Sequence, residues 1–217
     1  MPRGVSPWVS IVEKLLQKLF SILANQTHLN SLPFNNGCSE SQIIQTEHLL
    51  NVKLPNDYKA FLHYCNGQSD SFTLTFPPDQ LVFLPLEAVV HLWNELNRSQ
   101  DDQFFDQFEA NGKIRNVLQH LRRIPIATNE AGGAYLFLDY IPGPNGKEGQ
   151  LVFNVSEVDC VVIEDSVFNL IQTYVRLLET GKVVVRKQPP EYGQGYWFVS
   201  PQDRLLNWEA YRSLKEA

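Results

Sequence analysis

The chain has 217 residues, of which 43% are hydrophobic and 19% charged, the proportions of a globular protein with one large core rather than of a disordered or fibrous chain. Its 18 basic and 24 acidic side chains leave a net charge of −6, which argues against nucleic acid or an anionic membrane as partner, since both are held by Lys and Arg. Cys38, Cys65 and Cys160 are odd in number and widely spaced, with no C-x-x-C pair, so neither a disulfide framework nor a zinc site is indicated and a reducing cytoplasm is expected.

Ser6 and Pro7 form a helix start, the serine as cap and the proline at a position where no N–H is needed. Trp8, Val12, Leu15, Leu19 and Leu23 follow at helical spacing, while Glu13, Lys14, Gln17 and Lys18 interrupt the run that a signal peptide or membrane span requires. This amphipathic helix needs a surface to cover, on the main domain or on a second chain, and the polar stretch Asn25 to Gly37 reads as a hinge. Ser39-Glu40-Ser41-Gln42 has the S-x-x-Q form of a capping box, which predicts a helix from there to about Leu50. Leu54-Pro55-Asn56-Asp57 opens the next helix, with Asp57 at the positive end of its dipole. Tyr58, Phe61, Leu62 and Cys65 then line one face, and Asn66-Gly67 supplies a left-handed stop.

Phe72, Leu74 and Phe76 alternate with polar residues as a half-buried strand does, and Leu81 to Leu84 makes a second. Pro85 and Glu87 start a helix with Val89, Leu92, Trp93 and Leu96 at core spacing. The segment Asp101 to Glu109 reads as a short amphipathic helix, with Asp101, Asp102, Asp106 and Glu109 beside Phe104, Phe105 and Phe108. Strands are predicted at Ile124 to Ala127, Ala134 to Tyr140, Gln150 to Val155 and Cys160 to Ile163, and the short turns between them require antiparallel pairing. Ser166 caps a helix that Gly181 ends. A strand near Val183 to Arg186, an irregular Pro/Gly-rich connection with Tyr192, Tyr196 and Trp197, and a helix around Gln202 to Leu214 complete the chain. The fold class is α+β, a single domain with a central, largely antiparallel sheet flanked by helices.

Signals of catalysis are sparse. His28, His48, His63, His91 and His120 are scattered without metal-ligand spacing, Gly146-Lys147 lacks the first glycine of a phosphate loop, and no G-x-S-x-G elbow occurs. Glu130 and Asp139 are candidates for an acid/base pair across adjacent strands, or for loop-ordering or partner-facing roles. Two acidic clusters stand out, Asp101, Asp102, Asp106 and Glu109 in one and Glu157, Asp159, Glu164 and Asp165 in the other. They are either ordinary solvated surface or an electronegative patch that steers a basic protein, with the aromatics Phe104, Phe105, Phe108, Tyr192 and Trp197 as possible anchors.

Three ordered segments resemble the SUKH superfamily in its Smi/Knr type, named after a fungal regulator of cell-wall synthesis. The first is carried by Ile43, Glu47, Leu50, Leu54, Pro55, Asp57, Tyr58, Phe61, Leu62, Asn66 and Gly67, the second by Leu84-Pro85-Leu86 and Trp93. The third runs from Ile124-Pro125-Ile126-Ala127 through Gly133, Leu136-Phe137-Leu138-Asp139 and the loop Pro142 to Leu151 to Val162-Ile163-Glu164-Asp165-Ser166-Val167-Phe168 and Gly181. The resemblance implies residues 1–36 as an N-terminal helix and connector, 37–186 as a SUKH-like domain, and 187–217 as an aromatic-rich loop and helix packed on it. It further implies no enzymatic activity, no cofactor and no metal. The expected function is a protein-binding module, most of all an immunity-type protein that neutralises a toxin such as a basic toxin domain, and alternatively a regulatory scaffold of cell-wall signalling. Candidate partner-binding residues are Asp101, Asp102, Asp106, Glu109, Glu130, Asp139, Glu157, Asp159, Tyr192 and Trp197.

Overall fold

A computed structural model of the chain describes residues 7–29, 31–69, 73–98, 111–117, 120–155, 159–192 and 195–217. Helix α1 (Pro7–Thr27) buries Val12, Leu16, Leu19, Leu23 and Thr27, spaced by three or four residues along one face. The buried line runs through Leu16, with Leu15 half-buried beside it, and Trp8 is 43% exposed, so the apolar face is rotated from the one read in the sequence. The polar stretch after α1 is not a hinge. It contains β1 (Phe34–Asn36), which pairs antiparallel with β2 (Cys65–Gln68), and Phe34 stacks on Phe20 with ring centroids 4.4 Å apart.

Helix α2 (Glu40–Leu50) starts on the complete capping box: the Ser39 N–H donates to Gln42 Oε1 at 2.9 Å and the Gln42 N–H to Ser39 Oγ at 3.4 Å. Helix α3 (Asn56–Tyr64) buries Tyr58, Ala60, Phe61 and Leu62. It ends at Tyr64 rather than at Asn66-Gly67, because Cys65 is already extended and opens β2. Gly67, at φ +62°, lies within β2, where a Cβ would sit 2.4 Å from the Leu84 carbonyl carbon.

Two short strands, β3 (Leu74–Thr75) and β4 (Val82–Phe83), precede α4 (Leu86–Leu96). Next come β5 (Arg123–Thr128), β6 (Ala134–Asp139), β7 (Gln150–Val155) and β8 (Asp159–Glu164), then α5 (Val167–Glu179), capped by Ser166 Oγ, which accepts the Asn169 N–H at 3.2 Å. Strands β4-β5-β6-β7-β8 form a five-stranded antiparallel sheet in sequence order; β5 to β8 are joined by short turns, which require this pairing, whereas β4 pairs with β5 across the long connection that contains α4.

Strand β9 (Val184–Lys187) is followed by β10 (Tyr196–Val199) and α6 (Trp208–Glu216), whose N-terminus is capped by the Asn207 side chain. Residues read in the sequence as an irregular connection thus include a strand. It pairs antiparallel with β9 and parallel with β3, giving a second sheet in the order β3-β10-β9. Four residues are too short for alternation to announce a strand, and its partner β3 lies more than a hundred positions earlier. Helix α1 lies against α3, α5 and β9, and one hydrophobic core runs from Leu16 through Phe61, Leu136 and Leu170 to Phe198 and Tyr211. The fold is therefore mixed α+β, with a largely antiparallel main sheet.

Candidate functional site

The polar members of the sequence skeleton are engaged in the fold. Glu47, buried at the end of α2, accepts the Leu54 N–H at 2.9 Å and a bond from Lys53 Nζ at 2.9 Å, with Lys59 Nζ 3.5 Å away. Asp57 reaches across to α5, where its carboxylate accepts the Phe168 N–H at 2.8 Å. Asn66 Oδ1 accepts the Leu86 N–H at 2.8 Å and so caps α4, which starts on a proline without a side-chain cap of its own. Each side chain satisfies an N–H that a helix start or turn leaves without a partner; Asp57 and Asn66 also tie together elements apart in the chain, while Glu47 closes the turn from α2 to α3.

Beside this frame lies a cleft of about 410 Å³, lined by Thr75, Asp79, Gln80, Asn129, Glu130, Ala131, Gln188 and Trp197. Its floor is the second sheet, where Thr75 of β3 and Trp197 of β10 are register partners. One wall is the turn Pro77 to Gln80, closed by the paired backbone bonds of Phe76 and Leu81 at 2.8 and 2.7 Å. The Asp79 N–H donates to the Leu206 carbonyl at 2.9 Å and the Tyr174 hydroxyl to the Pro77 carbonyl, so the turn is anchored from both α5 and the segment before α6. Asp79 and Gln80 both adopt left-handed backbone, at φ +54° and +61°, a conformation Asp tolerates and Gln seldom takes. The opposite wall is the β5–β6 turn, held by Asn129 Oδ1, which accepts the Gly133 and Ala134 N–H groups at 3.1 and 3.2 Å.

Two atoms in this lining lack hydrogen-bond partners although they are buried, Thr75 Oγ1 and Asp79 Oδ2. The Asp79 carboxylate accepts the Trp208 N–H at the start of α6 through its other oxygen. Burial pushes the Asp79 carboxyl above its ordinary value, and the Trp208 N–H offsets only part of that rise. A buried acceptor left without a donor costs about 1–3 kcal/mol, so this wall is destabilised as it stands.

The structure brings Glu130 and Trp197 together in this cleft, and separates the other candidates. Asp139 is not a partner-facing residue: it is wholly buried and accepts from Arg123 Nε at 3.3 Å, from the Ile141 N–H at 3.1 Å and from Gln150 Nε2 at 2.9 Å. Arg123 in turn donates to the carbonyls of Val117 and Arg115, so the pair fastens the segment before β5 to the end of the main sheet. Nor do Glu130 and Asp139 make an acid/base pair, since Glu130 sits in the turn ahead of β6 and Asp139 is its last residue. Glu164 is likewise not surface: it is buried, bonded to Thr173 and Tyr211, and paired with Lys215 Nζ at 2.9 Å. Asp159 lies in β8 and Tyr192 in a 3-10 turn, Pro190–Tyr192. Asp101, Asp102, Asp106, Glu109 and Glu157, with the neighbouring Phe104, Phe105 and Phe108, lie outside the described residues.

Thr75, Asp79, Gln80, Asn129 and Gln188 escaped the sequence reading. The one local signal was Pro77-Pro78 followed by two polar residues, which marks a turn without saying what the turn faces. All three cysteines are buried, and burial, followed by the charge of Glu87, pushes the Cys38 thiol up to about 11, away from thiolate chemistry. Among the described residues no group of three or more His, Cys, Asp or Glu is placed to hold a metal, and no helix is long and apolar enough to cross a membrane.

A search of curated proteins finds no match to this chain. A family model described as the SMI1 / KNR4 family (SUKH-1) matches residues 37–173, a span that contains the resembling segments from α2 through the main sheet into α5, all but Gly181, together with both turns that wall the cleft. Gln188 and Trp197 come from beyond it, and the chain belongs to the SMI1 / KNR4 family (SUKH-1).

Proposed function

We propose that the protein is a non-enzymatic protein-binding module of the immunity type, which binds a toxin and neutralises it. The observation that carries this reading is the family match over residues 37–173, in which the polar skeleton residues Glu47, Asp57 and Asn66 are taken up by backbone N–H groups of the fold. Recognition is then left to surface outside the skeleton. The cleft offers such a surface, since hydroxyl, amide, carboxylate and indole groups line it and can hold a polar group of a partner. The net charge of −6 suits a basic partner, drawn in by complementary charge.

The test is co-expression with a toxin domain encoded beside this chain, read by co-purification and by survival of the host. Binding together with rescue is expected, and the absence of both overturns the immunity reading. A regulatory scaffold of the cell-wall-signalling kind is the second reading, favoured by the same family match. It differs in outcome, because such a scaffold retains cellular partners in a pull-down and rescues no toxin.

A further inference from the structure

We infer that the cleft between the Pro77–Gln80 turn and the β5–β6 turn is a socket for one basic side chain, an arginine above all, presented by a protein partner. The source of that side chain rests on the reading above; the chemistry of the socket does not. Among the described residues its lining holds two carboxylates, Asp79 and Glu130, and no lysine, arginine or histidine. Glu130 is exposed at the rim, and no cation among the described residues pairs with it.

Of three buried side-chain atoms without a hydrogen-bond partner among the described residues, two belong to this lining, Thr75 Oγ1 and Asp79 Oδ2. Thr75 is 3% exposed, so its hydroxyl has no bulk water to turn to. Carboxylate oxygens are acceptors, the Thr75 hydroxyl accepts as well as donates, and Gln80 and Gln188 add amide groups. A guanidinium supplies what such a wall lacks, five N–H donors and a delocalised positive charge with no acceptor of its own. Trp197 adds an indole, the side chain that attracts a cation most strongly.

The backbone of one wall is held in place before anything binds: bonds from the turn to Leu206 and from Tyr174 fix Asp79 and Gln80 in left-handed backbone, which limits the backbone ordering left for association. Thr75 Oγ1 and Asp79 Oδ2 lie closed off just beneath the cleft surface, so side chains of the wall must turn for a guanidinium to reach them. A volume of about 410 Å³ admits a long side chain and not a folded surface. Gln188 and Trp197 lie outside the family match, and Trp197 reaches the cleft through the pairing of β10 with β3.

The full chain is titrated with N-acetyl-arginine methylamide and with the corresponding citrulline compound, its neutral isostere, followed by amide NMR shifts. Saturable shifts at Gln80, Glu130 and Gln188 are expected with the arginine probe, with a Kd on the order of millimolar. The citrulline probe binds at least about tenfold more weakly, and Glu130→Gln and Asp79→Asn each weaken arginine binding by about tenfold, as the loss of a charge-assisted bond requires. Thermal midpoints verify that both variants fold. Equal binding of the two probes, or no shift at these residues, overturns the socket whatever co-expression shows. Arginine-selective binding without rescue of a toxic partner leaves the socket standing and removes the immunity reading.

Discussion

Glu47 and Asp79 are carboxylates drawn out of water whose surroundings move them in opposite directions. Burial raises Glu47, but the bond from Lys53, the Leu54 N–H and the charges of Lys59 and Lys53 outweigh it and bring the carboxyl below its ordinary 4.5. A folded-state value below the unfolded one means that Glu47 adds stability above pH 4.5, and that this contribution is lost as pH falls through the folded value. Glu47→Gln is expected to cost about 1–3 kcal/mol at pH 7, and the gap to the parent chain to close in acid, as read from urea midpoints across pH. Asp79 is raised by burial, so its folded form holds the proton more tightly and stability falls as pH climbs past its ordinary 3.8. Asp79→Asn keeps an acceptor for the Trp208 N–H and tolerates φ +54°, and it is expected to raise the thermal midpoint at pH 7 with no gain below pH 3.8. No gain in midpoint would mean that the buried charge costs nothing.

Helix α1 and strand β10 show what elements outside the family match contribute. Val12, Leu16, Leu19 and Leu23 insert α1 into the core, whereas Ile11 on its other face is 49% exposed. Leu16→Ala is expected to cost about 2–5 kcal/mol, the range for a large-to-small change at a fully buried leucine. Ile11→Ala stays within about 0.5 kcal/mol, and guanidinium unfolding of the two variants measures the contrast. Equal effects would place α1 in a different rotation about its axis. Strand β10 acts in two directions at once: Phe198 packs on Phe76 with centroids 4.9 Å apart, and the neighbouring Trp197 lines the cleft. Alternation along a strand divides its side chains between core and site, so four residues are enough to serve both.

On the scale of the whole molecule, the family match ends at residue 173, inside α5, one position before Tyr174. Tyr174 is buried, and its ring meets Phe76, Phe198 and Tyr211 at centroid distances of 5.4, 6.0 and 6.2 Å. Leu16 and Leu23 from before the match, and Phe198, Leu206 and Tyr211 from after it, share one core with Ile43, Phe61 and Leu136 inside it. A fragment limited to residues 37–173 exposes that core on two sides. It is expected to melt without a cooperative transition, while the full chain unfolds in one, and circular dichroism across temperature separates the outcomes. A cooperative fragment would show that the flanking elements are accessories to a self-sufficient unit.

The sequence by itself determined what depends on near neighbours. The Ser39-Gln42 capping box, the Ser166 cap and the antiparallel order of β5 to β8 were legible because a cap bond spans three residues and a short turn admits one pairing. The skeleton of Glu47, Asp57 and Asn66 was legible as a pattern, though its purpose, the satisfaction of N–H groups on other elements, was not. Tertiary structure alone decided the strand character of Tyr196–Val199, the burial of Asp139 and Glu164, and the meeting of Glu130 with Trp197. Strand pairing and burial are set by residues far off in the chain: Thr75 finds Trp197 through sheet register, and Asp139 is claimed by Arg123 and Gln150. An acceptor without a donor is likewise a property of its surroundings, so the Thr75 and Asp79 atoms that mark the cleft have no signature in sequence and emerge only when the turns and strands close around them.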